Sequence, residues 1–168
     1  MKIPESLVPA FEKQITLEFR AALTYRQLAI EMAAQSLPGT AAWFTRQADE
    51  EVLHAQRFID HVLDRGGRPV IGEVPAQQPL TNPTPLEAFR AALAHEEKVS
   101  AAIRELYVAT EAAGDLDSRP LLNEFVAEQV EEEATVGEVL SALERVGDDG
   151  PGLLRIDADL ASRGTTGA

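Results

Sequence analysis

Four long apolar stripes run through this chain, and each is broken near its middle by a residue of the kind that binds metal. Read in steps of three and four, the first periodic stretch gives Leu7, Phe11, Gln14, Glu18, Ala21, Tyr25, Leu28 and Met32. That spacing predicts a helix with one buried face, and Glu18 interrupts it. The second stretch gives Phe44, Gln47, Glu51, His54 and Phe58, flanked by Val52, Ala55, Ile59 and Val62. The third gives Leu86, Phe89, Leu93, Glu96, Ser100, Ile103 and Tyr107. The fourth gives Leu122, Phe125, Gln129, Glu132, Val136, Val139, Leu143 and Val146.

An ionised carboxylate buried without a partner costs on the order of several kcal/mol, and four clustered ones would be untenable. Basic side chains would neutralise them, but the central positions of the stripes carry no Lys or Arg. Metal cations remain. At ordinary ionisation Glu18, Glu51, Glu96 and Glu132 bring about four negative charges, which two divalent ions balance. Charge arithmetic therefore predicts a dinuclear site.

The 168 residues, 45% of them hydrophobic, suit one domain large enough to bury a core. No cysteine is present, which excludes disulfides, thiolate zinc sites and thiol catalysis and leaves oxygen and imidazole as metal ligands. A formal net charge of −13 argues against binding a phosphate backbone, so nucleic acid is not an expected partner. The start Met1-Lys2-Ile3-Pro4-Glu5 and the lack of a long apolar run predict neither a signal nor a membrane segment, and a cytoplasmic address is expected.

The predicted organisation is all-α. Helices are expected from about Glu5 to Gln35 and, after the break Ser36-Leu37-Pro38-Gly39-Thr40, onward to about Arg65. Residues 67–82 hold Pro69, Gly72, Pro75 and Pro79 and cannot be helical. Fully extended, they reach roughly 50 Å against a helix of about 40 Å, enough to run back along a whole bundle. A third helix is expected from about Pro85 to Ala113, with Thr84 as its cap, and a fourth from about Arg119 to Val146. This is a four-helix bundle over about 5–146 with one long crossover between the second and third helices. A short fifth helix over about 153–161, too short to stand alone, needs a surface to dock on, such as another subunit, and a flexible tail follows over 162–168.

Glu51-x-x-His54 is the strongest local motif, because residues three apart on a helix share a face and can close on one ion. Carboxylate-bridged dimetal bundles take one Glu from each of two helices and Glu-x-x-His from each of the others. Glu18 and Glu96 match the first kind and Glu51/His54 the second, while the fourth helix departs with Gln129-x-x-Glu132.

Over nearly its whole length the chain resembles a non-haem bacterial ferritin. The resemblance is carried by Leu17-Glu18 followed by Tyr25, by residues 49–57 (DEEVLHAQR), by His95-Glu96 and by residues 128–133 (EQVEEE). It implies that Glu18, Glu51 and His54 form a first ferroxidase iron site, with Glu51 bridging to a second made with Glu96 and Glu132. Gln129 stands where such ferritins place a glutamine near the second iron, and Tyr25 where they place a tyrosine beside the centre. Glu50, Glu128 and Glu131, with Glu132 shared, match a third iron site toward the interior of a hollow shell of 24 identical subunits. The implied activity is oxidation of Fe(II) by dioxygen or hydrogen peroxide and storage of the ferric mineral.

Departures from related families narrow this reading. Bacterioferritins, and di-iron oxidoreductases or peroxidases of the rubrerythrin type, resemble the symmetrical pattern with a second Glu-x-x-His and retain their metals. Gln129 and Glu132 do not fit that pattern, and without cysteine no rubredoxin-like iron site can be built. A more weakly held, exchanging second site suits iron passing through to a mineral. Haem is not expected, since Val52 stands where bacterioferritins carry a methionine. Miniferritins build their iron site at a subunit interface, which the mid-bundle ligands disfavour, and a non-catalytic bundle with protonated core acids is the remaining rival.

Plainer readings apply elsewhere. Trp43, Phe44 and Phe58 read as packing, His61 and His95 as solvent-facing or interface residues, and Glu97 as surface. Tyr25 can be a hydrogen-bonding core residue or an electron source. Glu50, Glu128 and Glu131 can equally be acidic surface.

Overall fold

A computed structural model describes residues 2–163. Five helices follow in order: α1 (Val8–Ala34), α2 (Pro38–Asp64), α3 (Pro85–Ala112), α4 (Arg119–Val146) and α5 (Gly150–Ser162), with a single 3-10 turn at Leu116–Ser118 before α4. Each helix has a proline in its first turn, where the missing N–H is no loss and the fixed φ is already helical. This is why Pro38-Gly39 opens α2 and Pro151 opens α5, rather than extending the breaks before them. Thr84 caps α3, its hydroxyl accepting from Glu87 N at 3.3 Å.

Helices α1 and α2 pack as one antiparallel pair and α3 and α4 as another, with α1 against α3. The segment between α2 and α3 travels along α1. Val70 N donates to Glu12 Oε1 at 2.9 Å, Gly72 N to Thr16 Oγ1 at 2.8 Å, and Thr24 Oγ1 to Gln77 Oε1 at 2.8 Å. The contacts climb α1 from Glu12 to Thr24, so the chain is carried back to the end where α2 began, and α3 runs parallel to α2.

The apolar core is in two parts. One holds Tyr25, Met32, Trp43, Phe44, Phe89, Val136 and Leu160, and the other Phe11, Ile15, Phe58, Ile103, Leu122 and Phe125. Between them, at the waist of the bundle, lie the buried polar residues Gln14, Glu18, Glu51, His54, Glu96, Gln129 and Glu132. At the end remote from α5, Arg65 is buried and donates to Asp115 Oδ1 at 2.5 Å and Ser118 Oγ at 2.8 Å, tying the end of α2 to the turn before α4.

Helix α5 finds its surface on its own chain. It packs on α2 and α4, burying Leu160 in the core beside α2. The Asp157 carboxylate accepts from Gly39 N at 3.0 Å, Thr40 N at 2.7 Å and Thr40 Oγ1 at 2.7 Å, so a side chain of α5 caps α2. The approach is close enough that a Cβ on Gly39 would lie 1.9 Å from Asp157 O, which requires glycine there. The tail expected over 162–168 is reached only as far as Ser162 and Arg163; the rest lies outside the described residues.

Replacing Asp157 leaves buried N–H groups of α2 without acceptors, at a cost of roughly 1–3 kcal/mol. Asp157→Ala is expected to unfold at lower denaturant than the parent and to speed amide exchange at Gly39 and Thr40. Equal exchange rates in the two proteins would show that the cap contributes nothing.

Candidate metal centre

Glu18 on α1 is fully buried, with Glu51 and His54 beside it on α2. The amide of Gln14, one turn earlier on α1, donates to Glu18 Oε1 at 2.7 Å. Among the described residues no hydrogen-bond partner reaches Glu18 Oε2. His54 Nδ1 lies 3.2 Å from Glu51 Oε2. One ligand atom from each of Glu18, Glu51 and His54 can be chosen so that all lie within 4.8 Å of one another, a spacing that one ion can close.

Opposite, Glu96 on α3 is fully buried and held from two sides. The Tyr25 hydroxyl donates to its Oε1, and Gln129 Nε2 on α4 donates to its Oε2 at 3.1 Å. Gln129 also reaches Ser100 Oγ at 3.3 Å, and the Ser100 hydroxyl donates to Glu133. Glu132, one turn on from Gln129, is buried too, with Gln47 Nε2 at 3.5 Å from its Oε2 and 3.3 Å from Glu50 Oε2. A second group of potential ligands, Glu50, His54 and Glu128, meets the same 4.8 Å spacing, and shares His54 with the first. Glu131 is exposed and joins neither group.

Burial governs the electrostatics. It is the main cause that raises the carboxyls of Glu18, Glu51 and Glu96, and neighbouring acids add to it. Burial, then the charges of Glu96, Glu50 and Glu51, lifts Glu132 to about 8. Burial pulls the other way at His54, but its hydrogen bonds to Glu128 and Glu51, with the charges of those carboxylates, outweigh it and raise the imidazole to about 11. Burial and the charge of Glu96 push the Tyr25 phenol well above its ordinary value, so it stays a donor.

The structure corrects the expectation for His95, which is buried, stands edge-on to Tyr25 at 6.5 Å between ring centroids, and is lowered to about 4 by burial and the charges of Lys98 and Arg20. His61 is half-buried and meets Ser118 Oγ at 2.8 Å. Gln14 and Gln47 matter more to the site than sequence reasoning gave them. Each stands one turn before a glutamate of the site on an otherwise apolar stripe, and that polar intrusion was the available signal.

Comparison with known proteins identifies the family. The ferritin-like domain family matches residues 9–146. A bacterial non-haem ferritin of Bacteroides fragilis is 32% identical over 161 residues, covering 96% of this chain and 99% of the relative. Its counterpart in Escherichia coli is 31% identical over 160 residues, covering 95% and 96%. Among solved structures, an open pore ferritin from the hyperthermophilic archaeon Archaeoglobus fulgidus superposes with a TM-score of 0.91 at 34% identity, covering 96% of this chain and 98% of that one. With carboxylate and imidazole side chains that could hold a metal ion at the waist of such a bundle and relatives of this kind along nearly its whole length, the chain belongs to the ferritin family, whose work is ferroxidation and iron storage.

Proposed function

We propose that Fe(II) is oxidised between the two halves of the core, one ion held by Glu18, Glu51 and His54 and a second by Glu96, Glu132 and the shared Glu51, with Gln129 as its neutral neighbour. The observation that carries this reading is the buried, ion-sized grouping of Glu18, Glu51 and His54 with an oxygen of Glu18 lacking a hydrogen-bond partner among the described residues. Negative ligands favour the ferric state, and a bridging Glu51 keeps the ions close enough to share dioxygen or hydrogen peroxide as electron acceptor. Tyr25 holds Glu96 through its hydroxyl and is the nearest candidate electron source.

The two ions are not equivalent. The first has an imidazole, the second only oxygen donors, and divalent transition ions generally prefer the nitrogen-containing set. The first position therefore fills first and the second exchanges, which suits iron in transit. Glu50 and Glu128 provide the onward step, with Glu131 beyond them on the exposed face of α4. We read the chain as one ferritin-like domain over 1–168 and its working form as a homo-oligomeric shell of 24 subunits in the cytoplasm. No helix among the described residues is long and apolar enough to cross a membrane.

Glu18→Ala and His54→Ala each remove a ligand and little packing. Both are expected to slow rapid Fe(II) oxidation on the order of tenfold or more, the scale at which even outer partners of metal ligands matter. Particle mass by light scattering should stay that of a large assembly. Parent rates in both variants would refute the ligand assignment, and a monomer or dimer at all concentrations would refute the shell.

Loading must displace protons. With His54 at about 11 and Glu132 at about 8, both are protonated at neutral pH before iron arrives. Divalent ions should bind more tightly as pH rises, and calorimetric titration in buffers of different ionisation enthalpy should register proton release. The metal-free fold behaves oppositely. A folded value above the ordinary one means that the folded chain keeps a proton which the unfolded chain has lost, so stability falls as pH climbs from 4.5 through about 8 for Glu132 and from 6.5 through about 11 for His54. The thermal midpoint of metal-free protein should drop between about pH 5 and 9, and Zn(II) should restore most at the upper end. A midpoint that rose with pH would overturn this account.

A further inference from the structure

His54 spans two carboxylates. Its Nδ1 faces Glu51 on the buried side, while its Nε2 lies 3.2 Å from Glu128 Oε1 on α4. The other oxygen of Glu128, Oε2, accepts from Arg57 Nη1 at 3.1 Å. Arg57 is one turn beyond His54 on α2 and is held twice more. Its Nη2 donates to Glu124 Oε2 at 2.6 Å, and its guanidinium carbon lies 4.3 Å from the centroid of the Phe125 ring. The same ring meets the His54 imidazole edge-on at 5.3 Å and stacks on Phe58 at 4.2 Å. Arg57, Glu128 and His54 thus form one chain of contacts braced on Phe125.

An imidazole that binds an ion has one nitrogen on the metal and its remaining N–H on a partner, and the partner fixes which nitrogen is which. Here the partner is half-exposed: the Glu128 side chain keeps 26% of its surface in solvent. Left alone, such a carboxylate can turn outward to solvent or rotate so that its Oε1 leaves His54. A guanidinium with its planar fork of donors prevents both, because it fixes the oxygen that His54 does not use.

We propose that Arg57 is a positioning residue of the ferroxidase centre: by holding Glu128 as acceptor of the His54 Nε2–H, it presents Nδ1 to the iron bound by Glu18 and Glu51. The proposal rests on the reading of His54 as an iron ligand. Ordinary half-exposed ion pairs contribute little to stability. Arg57 acts instead on the geometry of a neighbour.

The test is anaerobic titration of the assembled protein with Co(II), whose visible absorption reports its ligand set. In Arg57→Met the first, nitrogen-containing position should bind Co(II) about tenfold more weakly, as when an outer partner of a ligand is lost, with binding at the second position changed less than twofold. Glu128→Ala should do the same, and the double variant should be no weaker than either single one, because Arg57 acts through Glu128. Arg57→Lys, which keeps the charge but not the fork, should lie between parent and Arg57→Met. Parent affinity in Arg57→Met, or losses that multiply in the double variant, would overturn the proposal and leave Arg57 as a brace between α2 and α4. If Arg57→Met does not assemble, Arg57→Gln is read by the same titration against the same criteria. His54→Ala separates the two levels: if it keeps the parent affinity and spectrum, the ligand reading itself fails, whereas loss in His54→Ala with parent behaviour in the arginine variants defeats only the role of Arg57.

Discussion

The cost of taking carboxylates out of water is the constraint on which the rest of this structure depends. Glu18, Glu51, Glu96 and Glu132 come from four different helices and are all buried at one level of the bundle. The hydrophobic core is consequently in two halves, each closed by aromatic rings, with the acids between them. Packing above and below supplies the stability that the waist does not, and the bundle holds the acids together against their mutual repulsion.

The means of holding them is selective. Gln14, Gln47 and Gln129 donate amide N–H groups, and Tyr25 donates a phenol, so buried oxygens gain hydrogen bonds without gaining a counter-charge. A lysine or arginine in the same places would satisfy the carboxylates permanently and exclude the ion. The guanidinium of Arg57 is kept at the rim, where it pairs with Glu124 and Glu128. The waist thus carries no lysine or arginine counter-charge, and in the metal-free protein protons on His54 and Glu132 take that place.

Much of this was legible in the sequence because helical periodicity converts directly into a face, and a glutamate on an apolar face demands a reason. Glu18, Glu51, His54, Glu96, Gln129 and Glu132 all lie on single rows of apolar residues, and all six are buried. The proline-rich crossover could be read because prolines spaced through a segment cannot lie in a helix interior. What escaped was whatever depended on a second row. Ala88, Ala92, His95 and Val99 form a row beside Phe89 and Glu96, and the whole of it is buried, so the buried face of α3 is wider than one stripe and His95 is carried inside with it. Helix starts were misjudged at Pro38 and Gly150 because the same residues that break one helix open the next. The docking of α5 could not be read at all, since Asp157 meets Gly39 and Thr40 more than a hundred residues away in the chain, and no local pattern records it.

That contact makes the seating of α5 discrete. Apolar surfaces tolerate sliding, because a helix shifted by a fraction of a turn exchanges one oily neighbour for another. A carboxylate bonded to two successive N–H groups and a hydroxyl does not: moving it by one residue breaks all three bonds together. The last helix therefore has one permitted register and one permitted rotation on α2, and its outer face, with Leu154 exposed, is offered to the surroundings at a fixed angle. Any error in that angle would pass undamped into whatever contact the outer face makes, and one aspartate at the far end of the chain limits it.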